Sequence, residues 1–268
     1  MSIFKKIFGK KEQKSSARES SEWDFYFSNV DDVVGSFFVD LGLIHTAPVS
    51  DKPNFLRIAV TMNNPREDGL SSGEEFEILK RLEDKLTHSI IAKHNAVFAG
   101  RLTTNGRRDF YFYLRNTKQY DKTIAAAMKA FPTYKFDVVL KDDQKWEEYI
   151  NFLYPHPGQY QSILNRRVVY SLEQRGDHLT KARPVDHWIY FKTEADKEKF
   201  LSAIQDDGFT IVDNDYNVEF GEAPYRLRIS RIDKVDFDSV DDYALRLWSL
   251  AQECNGDYDG WETSVERE

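Results

Sequence analysis

AVFAGRLTTNGRRDFYFYLR, residues 96–115, consists of two apolar-rich segments about a turn signal. Asn105-Gly106 is the pair that a tight hairpin turn favours, because both residues must hold positive φ. The flanks AVFAGRLT and DFYFYLR then read as adjacent antiparallel strands, and what lies on either side decides the fold. Upstream, FLRIAVTM at 55–62 alternates Leu56, Ile58, Val60 and Met62 with Arg57, Ala59 and Thr61, as a strand with one buried face does. Between that strand and the hairpin, Ser72 and Glu75 make a capping-box pattern. Phe76, Leu79, Leu82, Leu86 and Ile90 follow as one helical stripe. Downstream, Tyr120, Ile124, Ala127, Met128 and Phe131 mark a second helix that Pro132 stops, and YKFDVVL supplies another strand. Residues 55–140 are expected to run β-α-β-β-α-β. Two further strands, WDFYFS and GSFFVDLGLI, precede them from Trp23.

The C-terminal half repeats this order without visible sequence repetition. DHWIYFK reads as a strand. Thr193 and Asp196 cap a helix carrying Phe200, Leu201 and Ile204, with Gly208 at its C-terminal turn. FTIVDNDYNV and PYRLRISRI are two more strands. Ser239 and Asp242 cap a helix with Val240, Tyr243, Ala244, Leu247, Ala251 and Cys254 on one stripe; Gly256 ends it before the strand YDGWETSV. The expected class is therefore α+β, with two ferredoxin-like βαββαβ domains, each an antiparallel sheet with helices on one face. WEEYINFLYPHP and YQSILNRRVVYSLEQ form a helical linker broken at Pro155 and Pro157. The expected divisions are a basic tail at 1–21, an N-terminal domain at 22–156 and a C-terminal domain at 157–268.

Composition narrows the function classes. A hydrophobic fraction of 41% suits a folded protein, and no apolar run is long enough for a membrane-spanning helix. The single cysteine, Cys254, excludes an intrachain disulfide and a cysteine-rich zinc site, and with no secretory leader it suggests the cytoplasm. Charge is uneven. Residues 1–20 carry six Lys/Arg against two Glu, residues 21–156 carry 17 against 20, and residues 157–268 carry 14 against 23. The acidic C-terminal part is a poor trap for phosphate backbones and suits a basic protein partner. In MSIFKKIFGKK, Ile3, Phe4, Ile7 and Phe8 oppose four lysines, which allows weak membrane contact by residues 1–11. So short a segment is read instead as the start of a solvated tail.

Three features invite an enzymatic or metal reading. GDHLTKARPVDHWIYF at 176–191 gathers two histidines, two aspartates and three aromatics. His178 precedes the strand while His187 shares a face with Val185, Ile189 and Phe191, so the pair does not converge as metal ligands must. His187 is expected to be a hydrogen-bonded structural residue. GLSSG at 69–73 matches the nucleophile-elbow pattern, yet NNPRED separates it from the preceding strand and Ser72 already has a capping role. Cys254, on an apolar stripe, is expected to be an inert core thiol. No P-loop or dinucleotide-binding glycine pattern is present, so no cofactor is expected and the chain reads as non-enzymatic.

The faces of the sheets away from the helices remain. The central C-terminal strands would present Trp188, Tyr190, Arg226 and Arg228 there, and the N-terminal strands Arg57, Tyr111, Tyr113 and Arg115. RNA-recognition modules place stacking aromatics in such positions, so RNA binding is the alternative to a protein partner. Cover by the other domain, by the extra strands or by the connecting helices would make the same faces structural. The surface expected to bind protein comprises Trp188, Tyr190, Arg226, Arg228, Asp257, Asp259 and Trp261, although Trp261 equally suits a core anchor.

With these segments in view, the C-terminal half resembles the RraB family, regulators of ribonuclease E activity. It does so through EQRGD at 173–177, VDHWIYF at 185–191, GF at 208–209 and YDGWET at 258–263. The N-terminal half resembles the domain of unknown function 695 family through WDFYF, DLGL, DGLSS, AGRLTTNGRRDFYFY and the W..Y..FLYP pattern at 146–155. The resemblance implies ferredoxin-like domains without catalytic activity. It further implies a protein that inhibits RNA cleavage by contact with a ribonuclease bearing basic segments.

Overall fold

The computed structural model describes residues 22–267, so the basic tail and its amphipathic segment lie outside the described residues. Within them the chain divides between Pro155 and His156 into two units.

In the N-terminal unit, β1 (Trp23–Val30) and β2 (Val33–Asp40) lead into a 3-10 turn at Leu41–His45, where sequence alternation suggests continued strand. Asp40 stops the strand, its carboxylate accepting from the amides of Glu22 and Gly42 at 2.9 and 3.1 Å. Next come β3 (Asn54–Thr61), α1 (Gly73–His94), β4 (Ala96–Thr104), β5 (Arg107–Leu114), α2 (Tyr120–Met128) and β6 (Phe136–Asp142). The β4–β5 hairpin turns on Asn105 and Gly106, with φ of 46° and 71°. The sheet order β1-β2-β4-β5-β3-β6 is antiparallel throughout, with β3 and β5 central in the ferredoxin-like core and β1–β2 extending the sheet beyond β4. Leu56, Ile58, Val60, Phe110 and Phe112 pack against Leu79, Leu82, Leu86, Ile90 and Ile124.

Two local expectations need correction. Phe76 lies off the buried stripe of α1 and is 40% exposed, beneath the Arg108 guanidinium. Ser72 does cap α1, accepting from the Glu75 amide at 3.3 Å, but the Glu75 carboxylate takes the amides of Asn63 and Asn64 at 2.6 and 2.9 Å. Those two orphan donors at the end of β3 compete successfully for it.

The C-terminal unit begins with α3 (Pro157–Glu173), with Pro157 in its first turn, where the missing amide is not needed. It continues through β7 (Arg183–Phe191), α4 (Glu194–Ala203), β8 (Thr210–Tyr216), β9 (Tyr225–Asp233), α5 (Phe237–Glu253) and β10 (Gly256–Thr263). The order β10-β7-β9-β8 repeats the N-terminal core topology. Val185, Ile189, Phe191, Leu227 and Ile229 meet Phe200, Val240, Leu247 and Ala251 in its core. Thr193 caps α4 by accepting from the Asp196 amide at 3.1 Å. Helix α5 starts earlier than Ser239 suggests: Asp236 is its cap and accepts from the Ser239 amide and hydroxyl at 3.1 and 2.9 Å. Asn255, at φ 52°, makes the turn after α5, while Gly256 already belongs to β10 and lies against the Phe191 ring.

The linker helices are not free spacers. Residues Glu148–Leu153 form a π-helical turn on the N-terminal sheet, and α3 packs against α5 through Asn165, whose amide donates to Asp241 at 3.0 Å. Among the described residues no helix is long and apolar enough to cross a membrane.

Candidate functional site

The 176–191 cluster resolves into two structural assemblies. Asp177 is buried at the α3–β7 turn, where Arg183 meets its two oxygens at 3.2 and 2.6 Å and the amides of Leu179 and Glu266 donate to it at 2.9 Å each. Burial alone would raise its pKa, but these amide bonds and Arg183 outweigh burial and hold it below the usual carboxylate value. His187 is fully buried among Phe209, Tyr243 and Tyr258, with Nδ1 2.8 Å from the Tyr258 hydroxyl. Burial, with Arg231 adding to it, lowers its pKa to about 3, so the ring is neutral near pH 7. Ser71 has a guanidinium for a partner, Arg108 donating to its hydroxyl at 3.2 Å, and a guanidinium cannot take a proton from it. Cys254 is buried and its thiol pKa is raised by that burial.

The outer face of the C-terminal sheet is set by register. Trp188 pairs with Arg228 and Tyr190 with Arg226 across β7–β9, while Asp213 and Asp215 on β8 pair with the same arginines. Across β7–β10, Asp257 pairs with Tyr190 and Glu262 with Asp186. Arg228 lies 5.0 Å over the Trp188 ring, bonded to Asp186 and 3.6 Å from Asp213. Arg226 is bonded to Asp215 and stacks 4.9 Å over Phe220, which also packs edge-on against Tyr190 at 5.8 Å. Burial and the neighbouring Asp259 both raise the Tyr190 pKa.

The consequence is a face that differs from the expected stacking platform. Trp188 is only 8% exposed under its arginine, and Tyr190 is half-buried behind Phe220. Both guanidiniums are committed to carboxylates, Arg226 to Asp215 and Arg228 to Asp186 and Asp213, and with Asp257, Asp259 and Glu262 the face carries six acids against Arg226, Arg228 and Lys192. A shallow groove of about 580 Å³ continues from Tyr190 and Asp257 past Lys192, Asp196 and Asn255. Trp261 is not part of this surface. It points to the helix side, is 0% exposed, and donates to Asn165 on α3 at 3.2 Å, so its place among the partner-binding residues is corrected to that of a core anchor. The residues that reading missed are Asp186, Asp213, Asp215, Phe220 and Glu262. The period-2 spacing of Asp213 and Asp215 matches that of Arg226 and Arg228, and that was the available signal.

The corresponding N-terminal face is largely closed. Tyr111 and Tyr113 are buried, and Trp146 stacks on Tyr113 at 3.9 Å between centroids. The Tyr113 hydroxyl donates to Asp143 at 2.6 Å, Tyr149 donates to the Asp40 carbonyl at 2.8 Å, and Tyr26 donates to the Leu153 carbonyl at 2.9 Å. The connecting segment is therefore the cover, and these tyrosines are no RNA platform. Arg115 stays exposed, 3.6 Å from Asp51.

Comparison with known proteins agrees with this two-part architecture. The family model described as a family of unknown function, DUF695, matches residues 21–154, and the model described as Regulator of ribonuclease activity B matches residues 162–263. No curated protein matches the chain. Two solved structures align along most of its length. An unknown protein from Galdieria sulphuraria shows 11% identity and a TM-score of 0.23, covering 80% of this chain and 99% of its own. A putative glycine cleavage system transcriptional repressor shows 9% identity and a TM-score of 0.20, covering 79% and 98%. At such TM-scores neither bears on fold or function. The chain belongs to the DUF695 family through its N-terminal half and carries an RraB-family domain in its C-terminal half.

Proposed function

We propose that the chain is a non-enzymatic, cytoplasmic regulator whose C-terminal sheet docks on a basic segment of an endoribonuclease of the ribonuclease E type and lowers its cleavage of RNA. One observation carries this reading: the outer sheet face surrounds two already paired arginines with six carboxylates. Such a face attracts cationic protein and repels phosphate backbones. The match to a ribonuclease-regulator family supports the choice of partner. The absence of catalysis is supported by a serine bonded to a guanidinium, a neutral buried histidine and a buried thiol.

The test is cleavage of a defined RNA by purified ribonuclease E with increasing amounts of the chain. We expect the rate to fall, and Asp215→Lys/Asp257→Lys, which reverses charge on opposite sheet edges, to abolish the effect. Undiminished cleavage, or equal inhibition by the variant, contradicts the proposal. If the chain instead retards RNA in a gel without the nuclease, and Trp188→Ala/Tyr190→Ala removes that shift, direct RNA binding replaces it.

A further inference from the structure

One part of the N-terminal outer face escapes the cover. A pocket of about 380 Å³ opens there, within the usual range for small-ligand sites, roughly 300–1,000 Å³. Its walls are Phe55, Leu102, Tyr111, Val139 and Phe152, and Arg57 and Arg107 reach into it. Register explains the gathering: Arg57 on β3 lies between Tyr111 on β5 and Val139 on β6, while Asp109 faces Ala59 and Leu102.

The polar groups are incompletely matched. Asp109, 0% exposed, is the one carboxylate against both guanidiniums, its Oδ2 standing 3.2 Å from Arg107 and 4.0 Å from Arg57. Its Oδ1 and the buried Arg57 Nε have no hydrogen-bond partner. At 4.0 Å the Arg57 contact is an ion pair without a hydrogen bond, so this fork of donors lining the pocket has no hydrogen-bond acceptor among the described residues. Burial raises the Asp109 pKa against the opposing pull of Arg107 and Arg57. Of the remaining charges, Lys141 is bonded to Glu148, and Asp31 also lines the pocket, where its carboxylate disfavours a second negative charge on a ligand.

We infer that this pocket binds a small monocarboxylate with an apolar or aromatic body. The carboxylate bridges Arg57 and Arg107, and the body lies against Phe55, Tyr111 and Phe152. Planar guanidinium forks suit a carboxylate's two oxygens, and charge-assisted bonds of this kind are the strong ones. This site is independent of the proposed ribonuclease contact.

3-Phenylpropionate is a suitable probe, titrated into the full chain and followed by NMR chemical shifts. We expect saturable binding with shifts confined to residues around Arg57, and at least about tenfold weaker binding for Arg57→Gln and Arg107→Gln. Arg107 still faces Asp109 in Arg57→Gln, so this variant is expected to stay folded, and its melting temperature separates lost binding from lost stability. 3-Phenylpropanol, of the same shape without charge, is expected to bind at least about tenfold more weakly. Absence of saturation at millimolar probe, unchanged affinity in Arg57→Gln, or tighter binding of phenyl phosphate than of 3-phenylpropionate would overturn the inference.

Discussion

A neutral histidine sealed in an aromatic box has a thermodynamic signature. In the unfolded chain His187 titrates near its ordinary value of about 6.5, whereas in the fold it resists protonation down to about 3. Between those values the unfolded state binds the additional proton. Its contribution to stability is therefore complete above about pH 6.5 and falls on acidification by at most about 1.4 kcal/mol per pH unit. Urea denaturation at pH 7, 6 and 5 is expected to show this slope, and His187→Leu is expected to flatten it while being less stable at pH 7. Equal slopes for both proteins would show that another group dominates. The burial of His187 was legible from alternation in VDHWIYF, because strand geometry sends residues two apart to one face. The Tyr258 contact was not, since it pairs residues 71 positions apart. For the same reason the arginine lid over Trp188 escaped notice: both residues were placed on the outer face, but their mutual stacking depends on side-chain geometry.

At the scale of elements, strand order and the hairpin turn follow from periodicity and from Asn105-Gly106, while caps and covers depend on competition among local donors. Glu75 illustrates this, drawn from its own helix end to two loop amides. Cover by the connecting helices was one of three options the sequence left open, and nothing in the spacing of WEEYINFLYPHP chooses it over the extra strands or the other domain. The anchor of this cover is Trp146, fully buried, stacked on Tyr113 and donating to the Lys52 carbonyl at 3.0 Å. Trp146→Ala is expected to cost about 3–5 kcal/mol, read by chemical denaturation. A loss below 1 kcal/mol would mean that the cover contributes little. In the other unit, a β-carbon on Gly256 would sit 2.5 Å from the buried Phe191 ring. Gly256→Ala is accordingly expected to lower stability by about 1–3 kcal/mol, and an unchanged melting temperature would show that the ring can shift.

For the molecule as a whole, two domains share one core topology but treat their outer faces differently. The N-terminal domain closes most of its outer face with its own connecting segment and leaves one arginine-lined pocket. The C-terminal domain leaves its outer face acidic. The imbalance of 14 basic against 23 acidic residues over 157–268 was legible in composition, but its concentration around Trp188 and Tyr190 required the strand register. Electrostatic capture of a basic protein makes association steep in ionic strength, because exposed charges are screened within about 8–10 Å at physiological salt. The most direct measurement is the dissociation constant for ribonuclease E at 50, 150 and 400 mM salt, for the native chain and for Asp215→Lys/Asp257→Lys. We expect affinity to fall at least tenfold across that range for the native chain, and the variant to bind weakly at every salt concentration. Tight binding that ignores both salt and the charge reversal would contradict the account.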